Sequence, residues 1–179
     1  MSQLQCNSIV PVGGIPAGAS GGGIIQIVSV ESTSNGSSTS TSFTDFPGLT
    51  ATITPKSTSS KILVNVCMVL VHVDNYSAIT RLVRGASKIF PNGTGTESYG
   101  FSFRTSGNNY DSPVTTLTYL DSPATTSATT YKIQVTSSGG TTNPSWYNRS
   151  PNVDTASNGV TNYSGGYHSS TITLMEISG

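Results

Sequence analysis

Residues 61–73 read KILVNVCMVLVHV and form the most apolar stretch of the chain. After Lys61, only Asn65 and His72 interrupt the apolar side chains. The stretch is well short of the roughly 20 apolar residues that a helix needs to cross a bilayer. A short, nearly continuous apolar run is typical of a central β-strand covered on both faces. This stretch therefore predicts a buried strand and no insertion into a membrane.

The sequence around this stretch also has the pattern of β-strands. Residues 24–30 follow a period-two pattern after Ile24, apolar residues alternate with threonines in residues 49–53, and no window shows a sustained helical period. Further strands are predicted at 78–84, 99–104, 114–120, 131–136, 145–149 and 171–177. Turn residues separate them, including Asn35-Gly36, Pro47-Gly48, Gly107-Asn108-Asn109, Ser138-Gly139-Gly140 and Gly165-Gly166. We predict an all-β fold in which residues 24–179 form an antiparallel, jelly-roll-like β-sandwich head.

Residues 1–23 differ in composition from the rest of the chain. Glycines loosen this segment, prolines remove backbone donors, and it has no apolar face of its own to bury. It is predicted to be an extended N-terminal arm that becomes ordered by binding another molecule. The residues predicted to anchor it are Ile9, Val10, Pro11, Val12, Ile15 and Pro16.

The composition limits the classes of function. Among 179 residues there are 8 Lys+Arg and 8 Asp+Glu, so the formal net charge is zero. Binding nucleic acid electrostatically requires a basic surface, which this composition does not supply. The chain also contains 30 Ser and 26 Thr, which suit exposed faces of β-strands. Uncharged strand edges pair readily with other chains, and we therefore expect a homo-oligomer.

Two sequence patterns resemble catalytic or metal-binding motifs. Gly18-Ala19-Ser20-Gly21-Gly22 matches G-x-S-x-G but lies in the arm, without the strand and helix that a nucleophile elbow needs. His72 and Asp74 are spaced like two metal ligands on one strand face, with His168 as a conceivable third. A polar strand end leading into a turn explains this pair better. We predict no catalytic residue, no metal site, no cofactor and no enzymatic activity.

Aromatic and amide side chains are concentrated in the predicted loops. Rings on loops can stack on sugars while neighbouring polar groups bind the sugar oxygens. Packing in the core or at a subunit interface is the alternative role for these rings. The candidate contacts to a glycan are Tyr110, Trp146, Tyr147, Tyr163 and Tyr167, with Asn108, Asn109 and Arg149 as polar partners.

Several strings resemble virion structural and tail-fibre-like proteins of marine and cyanobacterial tailed phages. The arm sequence at 9–16 is similar to the starts of such proteins. The other strings that carry the resemblance are residues 22–29, 49–64, 82–85, 119–135 and 170–177. Their order and spacing extend the resemblance over essentially the whole chain, although each string alone is low in complexity.

The resemblance implies a trimeric protein on the virion surface, made in the host cytoplasm, with a fibre-type jelly-roll head. Its partners would be two further copies of itself, other virion proteins bound through the arm, and a host-surface glycan. The alternative is a capsid decoration or cement protein whose arm binds capsid subunits. A glycan-acting hydrolase is a third interpretation, which the lack of a clustered catalytic set disfavours. The family has no uniform catalytic residues to carry over.

Overall fold

The computed structural model describes residues 23–72, 77–91, 101–103, 114–137, 144–149 and 167–179. These residues form eleven β-strands and no helix, which confirms the all-β prediction. The strands are β1 (Ile24–Ser32), β2 (Gly36–Ser38), β3 (Thr44–Ile53), β4 (Lys61–His72), β5 (Ala78–Arg84), β6 (Ser87–Phe90), β7 (Phe101–Phe103), β8 (Val114–Asp121), β9 (Thr129–Ser137), β10 (Ser145–Tyr147) and β11 (Ser170–Ile177). The anchoring residues predicted in the arm lie outside the described ranges; they are Ile9, Val10, Pro11, Val12, Ile15 and Pro16.

The first sheet is antiparallel and centres on β4. Strand β8 pairs with one edge of β4, β11 pairs with it at Lys61–Cys67, and β1 pairs with β11. Strand β10 continues along β4 from Leu70 to His72, and β2 pairs with β10. Strands β10 and β11 are therefore two parts of one long strand that is interrupted once, and β1 and β2 are two parts of another. Counted in this way, the sheet is four strands wide.

The second sheet has the order β3, β9, β5, with β6 and β7 pairing with successive parts of β5. Counting interrupted strands once, each sheet has four strands and the chain passes repeatedly from one sheet to the other. Strands β1 and β11 are adjacent in one sheet, and β3 and β9 are adjacent in the other. This strand order, together with the alternation between sheets, is that of a jelly roll. The prediction of a jelly-roll-like sandwich is confirmed.

One predicted turn lies inside a strand. Pro47-Gly48 falls within β3, where the register against β9 shifts between Asp45 and Thr50. Gly48 has a positive φ of 72°, and a Cβ atom there would lie 2.8 Å from Ser32 Oγ. The two residues thus make a bulge at which β3 approaches β1, because only glycine fits this conformation and contact.

The core lies between the two sheets and follows the period-two alternation of the strands. Along β4, every second residue from Ile62 to Leu70 packs into this core. Asn65 between them is exposed and Leu63 and Cys67 are half-buried, whereas Val69 and Val71 are buried on the outer face. The prediction that both faces of this strand are covered is therefore right only for its second half. The first half has an open outer face.

A partly buried ion pair joins the sheets at one end of the sandwich. Arg84 at the end of β5 donates from Nη1 to both carboxylate oxygens of Asp121 at the end of β8, at 2.9 and 2.7 Å. The hydroxyl of Tyr131 on β9 donates to the same carboxylate at 2.7 Å. Burial of Tyr131 and this hydrogen bond raise the pKa of its phenol, so it remains a donor across the physiological range.

Candidate functional site

The described residues include half of the predicted glycan contacts. Trp146 and Tyr147 belong to β10, Arg149 follows them, and Tyr167 precedes β11. The remaining predicted contacts lie outside the described ranges; they are Tyr110, Tyr163, Asn108 and Asn109. The site that can be described is therefore the place where the chain leaves β10 and returns to β11.

Three of the predicted residues lie together at this place. The guanidinium carbon of Arg149 lies 4.7 Å from the ring centroid of Trp146, within the range of a cation–π interaction. Arg149 also forms an isolated antiparallel bridge with Tyr167, whose side chain is 65% exposed. A half-buried indole, a guanidinium and an exposed phenol thus form a small aromatic and cationic surface, which we call the Trp146 cluster (Trp146, Arg149 and Tyr167).

Tyr147 faces the opposite way from Trp146. Its ring packs against Phe46 with centroids 5.5 Å apart and joins the edge of the core. It also lies over Gly36 on β2, where a Cβ atom would come within 2.7 Å of the tyrosine hydroxyl. Tyr147 therefore packs against the core, which is the alternative role that the sequence analysis gave for these rings.

Asn148 holds this site in place and was not among the predicted residues. It is fully buried and has a positive φ of 51°. Its side-chain amide donates to the carbonyls of Ser32 and Ser34, both at 2.9 Å, and its Oδ1 accepts from Ser170 Oγ at 2.5 Å. Its backbone N–H donates to Val69 O at 3.1 Å, and its carbonyl accepts from His168 N at 2.9 Å.

These hydrogen bonds bridge the interruption between β10 and β11. Strand β10 pairs with β4 down to Leu70, and β11 pairs with it from Cys67 to Lys61, which leaves Met68 and Val69 between the two paired segments. The N–H of Val69 donates to Ser170 Oγ, and its carbonyl accepts from Asn148. The backbone groups of β4 thus remain satisfied where the chain leaves the sheet, as buried groups must be. In the sequence, Asn148 lies between Tyr147 and Arg149, and nothing in that position predicts this role.

A histidine and a serine meet in the core. His72 Nε2 lies 3.0 Å from Ser137 Oγ, a distance that suits a nucleophile and its base. Both residues are fully buried between the sheets, so a substrate has no access to this pair. Within the described ranges, no group of three His, Cys, Asp or Glu side chains is arranged to hold a metal ion.

By its fold, the described part of the chain is a jelly-roll β-sandwich. Its candidate site is an aromatic and cationic cluster at the place where one strand is interrupted. No protein-family model matches the sequence, and no curated protein matches it either. In the part of the chain that the structure describes, no helix is long and apolar enough to cross a membrane.

Proposed function

We propose that this chain is a non-enzymatic surface protein of a tailed-phage virion. The observation that carries the proposal is a jelly-roll head in a chain that is rich in Ser and Thr, has zero formal net charge, and resembles phage virion proteins in sequence. Jelly rolls occur in viral capsid proteins and in lectins, which supports the proposal at the level of fold analogy. The N-terminal arm attaches the head to other virion proteins, and the head is displayed as a homotrimer.

The Trp146 cluster supports a role in contacting the host. An indole and a phenol stack on sugar faces, and a guanidinium donates to sugar oxygens or to acidic groups on a glycan. The cluster lies beside Asn148, whose hydrogen bonds fix the backbone on which the rings are carried. A rigid scaffold that presents aromatic residues where the chain leaves the sheet suits a binding surface. We therefore assign the head a glycan-binding role at the host surface.

The first test removes the aromatic contacts. Trp146→Ala together with Tyr167→Ala should weaken glycan binding about 30-fold per head, because each ring contributes on the order of 1 kcal/mol. Particles carrying both changes should adsorb to host cells at least tenfold more slowly, while the oligomer and the melting temperature change little. Thr52→Ala together with Thr130→Ala, an exposed hydroxyl pair on the second sheet, serves as the control. Unaltered adsorption by the aromatic double variant would favour the decoration alternative.

The second test concerns attachment through the arm. Deleting residues 1–22 should leave the head folded, because β1 begins at Ile24 and the deletion keeps Gly23, whose carbonyl accepts from Ser178 N at 3.1 Å. The truncated protein should keep the melting curve of the full chain and be lost from purified particles. Normal incorporation of the truncated chain would contradict attachment through the arm and place the attachment surface on the head.

Capsid decoration is the second candidate function. It uses the same head and the same arm, with the arm bound to capsid subunits. The exposed apolar side chains of β1, next to the arm, favour a large contact with another protein, which decoration would also require. The two functions differ in the number of copies per particle.

A further inference from the structure

Four apolar residues form a continuous row across the outer face of the first sheet. Ile27 of β1 lies opposite Met175 of β11, Met175 lies opposite Leu63 of β4, and Leu63 lies opposite Leu120 of β8. Directly opposed residues in an antiparallel sheet share a face. We call Ile27, Met175, Leu63 and Leu120 the apolar row; it spans the sheet from its first strand to its last.

The row faces away from the core. Met175 alternates with the buried Leu174, and Leu63 lies between the buried Ile62 and Val64. The ends of the row are open, since Ile27 is 59% exposed and Leu120 is 47% exposed. The two central side chains are half-buried by their neighbours within the sheet. Four large apolar side chains thus form one exposed strip, which is more than scattered surface residues require.

The rest of this face has a different character. The next row toward the Trp146 cluster is polar: Ser29 bonds Thr173 at 2.9 Å, and Asn65 donates to Thr118 at 3.5 Å. On the opposite side of the apolar row, Ile24 lies opposite Ile177 and adds apolar surface. The apolar row itself contains no charged residue. The apolar strip is bordered by hydroxyls on one side and by Ile177 and the exposed Lys61 on the other, which resembles the core and rim of a protein interface.

We infer that the apolar row is the surface on which a second copy of this chain docks, an inference that rests on the homo-oligomer in the proposed function. Four strands about 4.8 Å apart and about eight residues long give a face of roughly 500 Å² in projection. This is of the order of the ~800 Å² of accessible surface that each partner buries in a standard interface. In the proposed homotrimer, the apolar rows of the three copies face one another across the threefold axis.

The inference is tested by placing charges in the row. Ile27→Lys together with Leu120→Lys should leave the fold intact, because both side chains are exposed. The variant should sediment as a monomer at concentrations at which the full-length chain is an oligomer, with association at least about a hundredfold weaker, because uncompensated charges would be buried. The matched control is Thr50→Lys together with Thr52→Lys, two exposed positions of β3 on the second sheet, away from the face counted in the interface. It should remain oligomeric.

The outcomes separate this inference from the proposed function. If the full-length chain is an oligomer and the double lysine variant keeps its size, the interface lies elsewhere and the inference is wrong, while the virion role stands. If the Thr50→Lys and Thr52→Lys control dissociates the oligomer equally, the assignment to the row is also wrong. If the full-length chain is a monomer and the row binds a hydrophobic dye only after residues 1–22 are removed, the arm covers the row and a second copy does not. Whether the chain occurs in purified particles tests the proposed function independently.

Discussion

Replacing Asn148 with alanine is expected to destabilise the head by roughly 3–4 kcal/mol. The change removes three side-chain hydrogen bonds in a fully buried site, each worth about 1 kcal/mol. It also places alanine at a φ of 51°, which costs about 1 kcal/mol more because asparagine tolerates the left-handed region better. For a chain of this length, the melting temperature should fall by about 6–16 °C. Differential scanning calorimetry or denaturant titration measures the change.

Asn148→Gly is the matched control for this prediction. Glycine adopts the positive φ without strain and lacks the amide, so it separates the hydrogen bonds from the backbone conformation. We expect this variant to lose about 1 kcal/mol less than the alanine variant. An alanine variant within 1 kcal/mol of the original protein would show that Asn148 does not hold the interrupted strand together.

Asp121→Ala is expected to cost about 3 kcal/mol. The substitution leaves the buried hydroxyl of Tyr131 without its acceptor and the Arg84 guanidinium without its countercharge. The Tyr131 hydroxyl then stays buried without a partner, which is costly, whereas the Arg84 side chain is 32% exposed and is partly solvated. The midpoint of urea unfolding should fall while the slope of the transition stays the same, since the surface exposed on unfolding hardly changes.

The control for this prediction is the exposed ion pair of Asp45 and Lys132. Their charged atoms are 2.8 Å apart, but the Asp45 side chain is 51% exposed. Exposed pairs contribute little, so Asp45→Ala should cost less than about 1 kcal/mol. Hydrogen bonding to Lys132 lowers the pKa of Asp45, so this small contribution is present above the carboxyl's unfolded pKa and is lost as pH falls through the folded value. Equal effects of the two substitutions would contradict the role assigned to Asp121.

Much of the fold could be predicted from local pattern. Period-two alternation in residues 24–30 and the apolar run at 61–73 correctly indicate strands of a sandwich. The interruption between β10 and β11 could not be predicted, because it depends on how both segments align with β4. The apolar row was missed for the same reason. Leu63 and Met175 are far apart in the sequence, and only the register makes them neighbours.

The candidate site was predictable in part. Trp146 and Arg149 are three residues apart, so their proximity follows from the sequence, whereas the arrival of Tyr167 beside Arg149 depends on tertiary structure. Trp146 and Tyr147 are consecutive in a strand and must face opposite sides, a rule that could have assigned one of them to the core. Asn148 had no local signal. Its role depends on Ser32, Ser34 and Ser170, which approach it from other strands.

The central claim is that this chain is a surface component of a phage particle. Its most direct test is to count the chain in purified particles by quantitative mass spectrometry against the major capsid protein. The proposal predicts that the chain is present at a few tens of copies or fewer, in a multiple of three. Hundreds of copies would contradict the fibre position and indicate capsid decoration. Absence of the chain from purified particles would contradict the virion role itself.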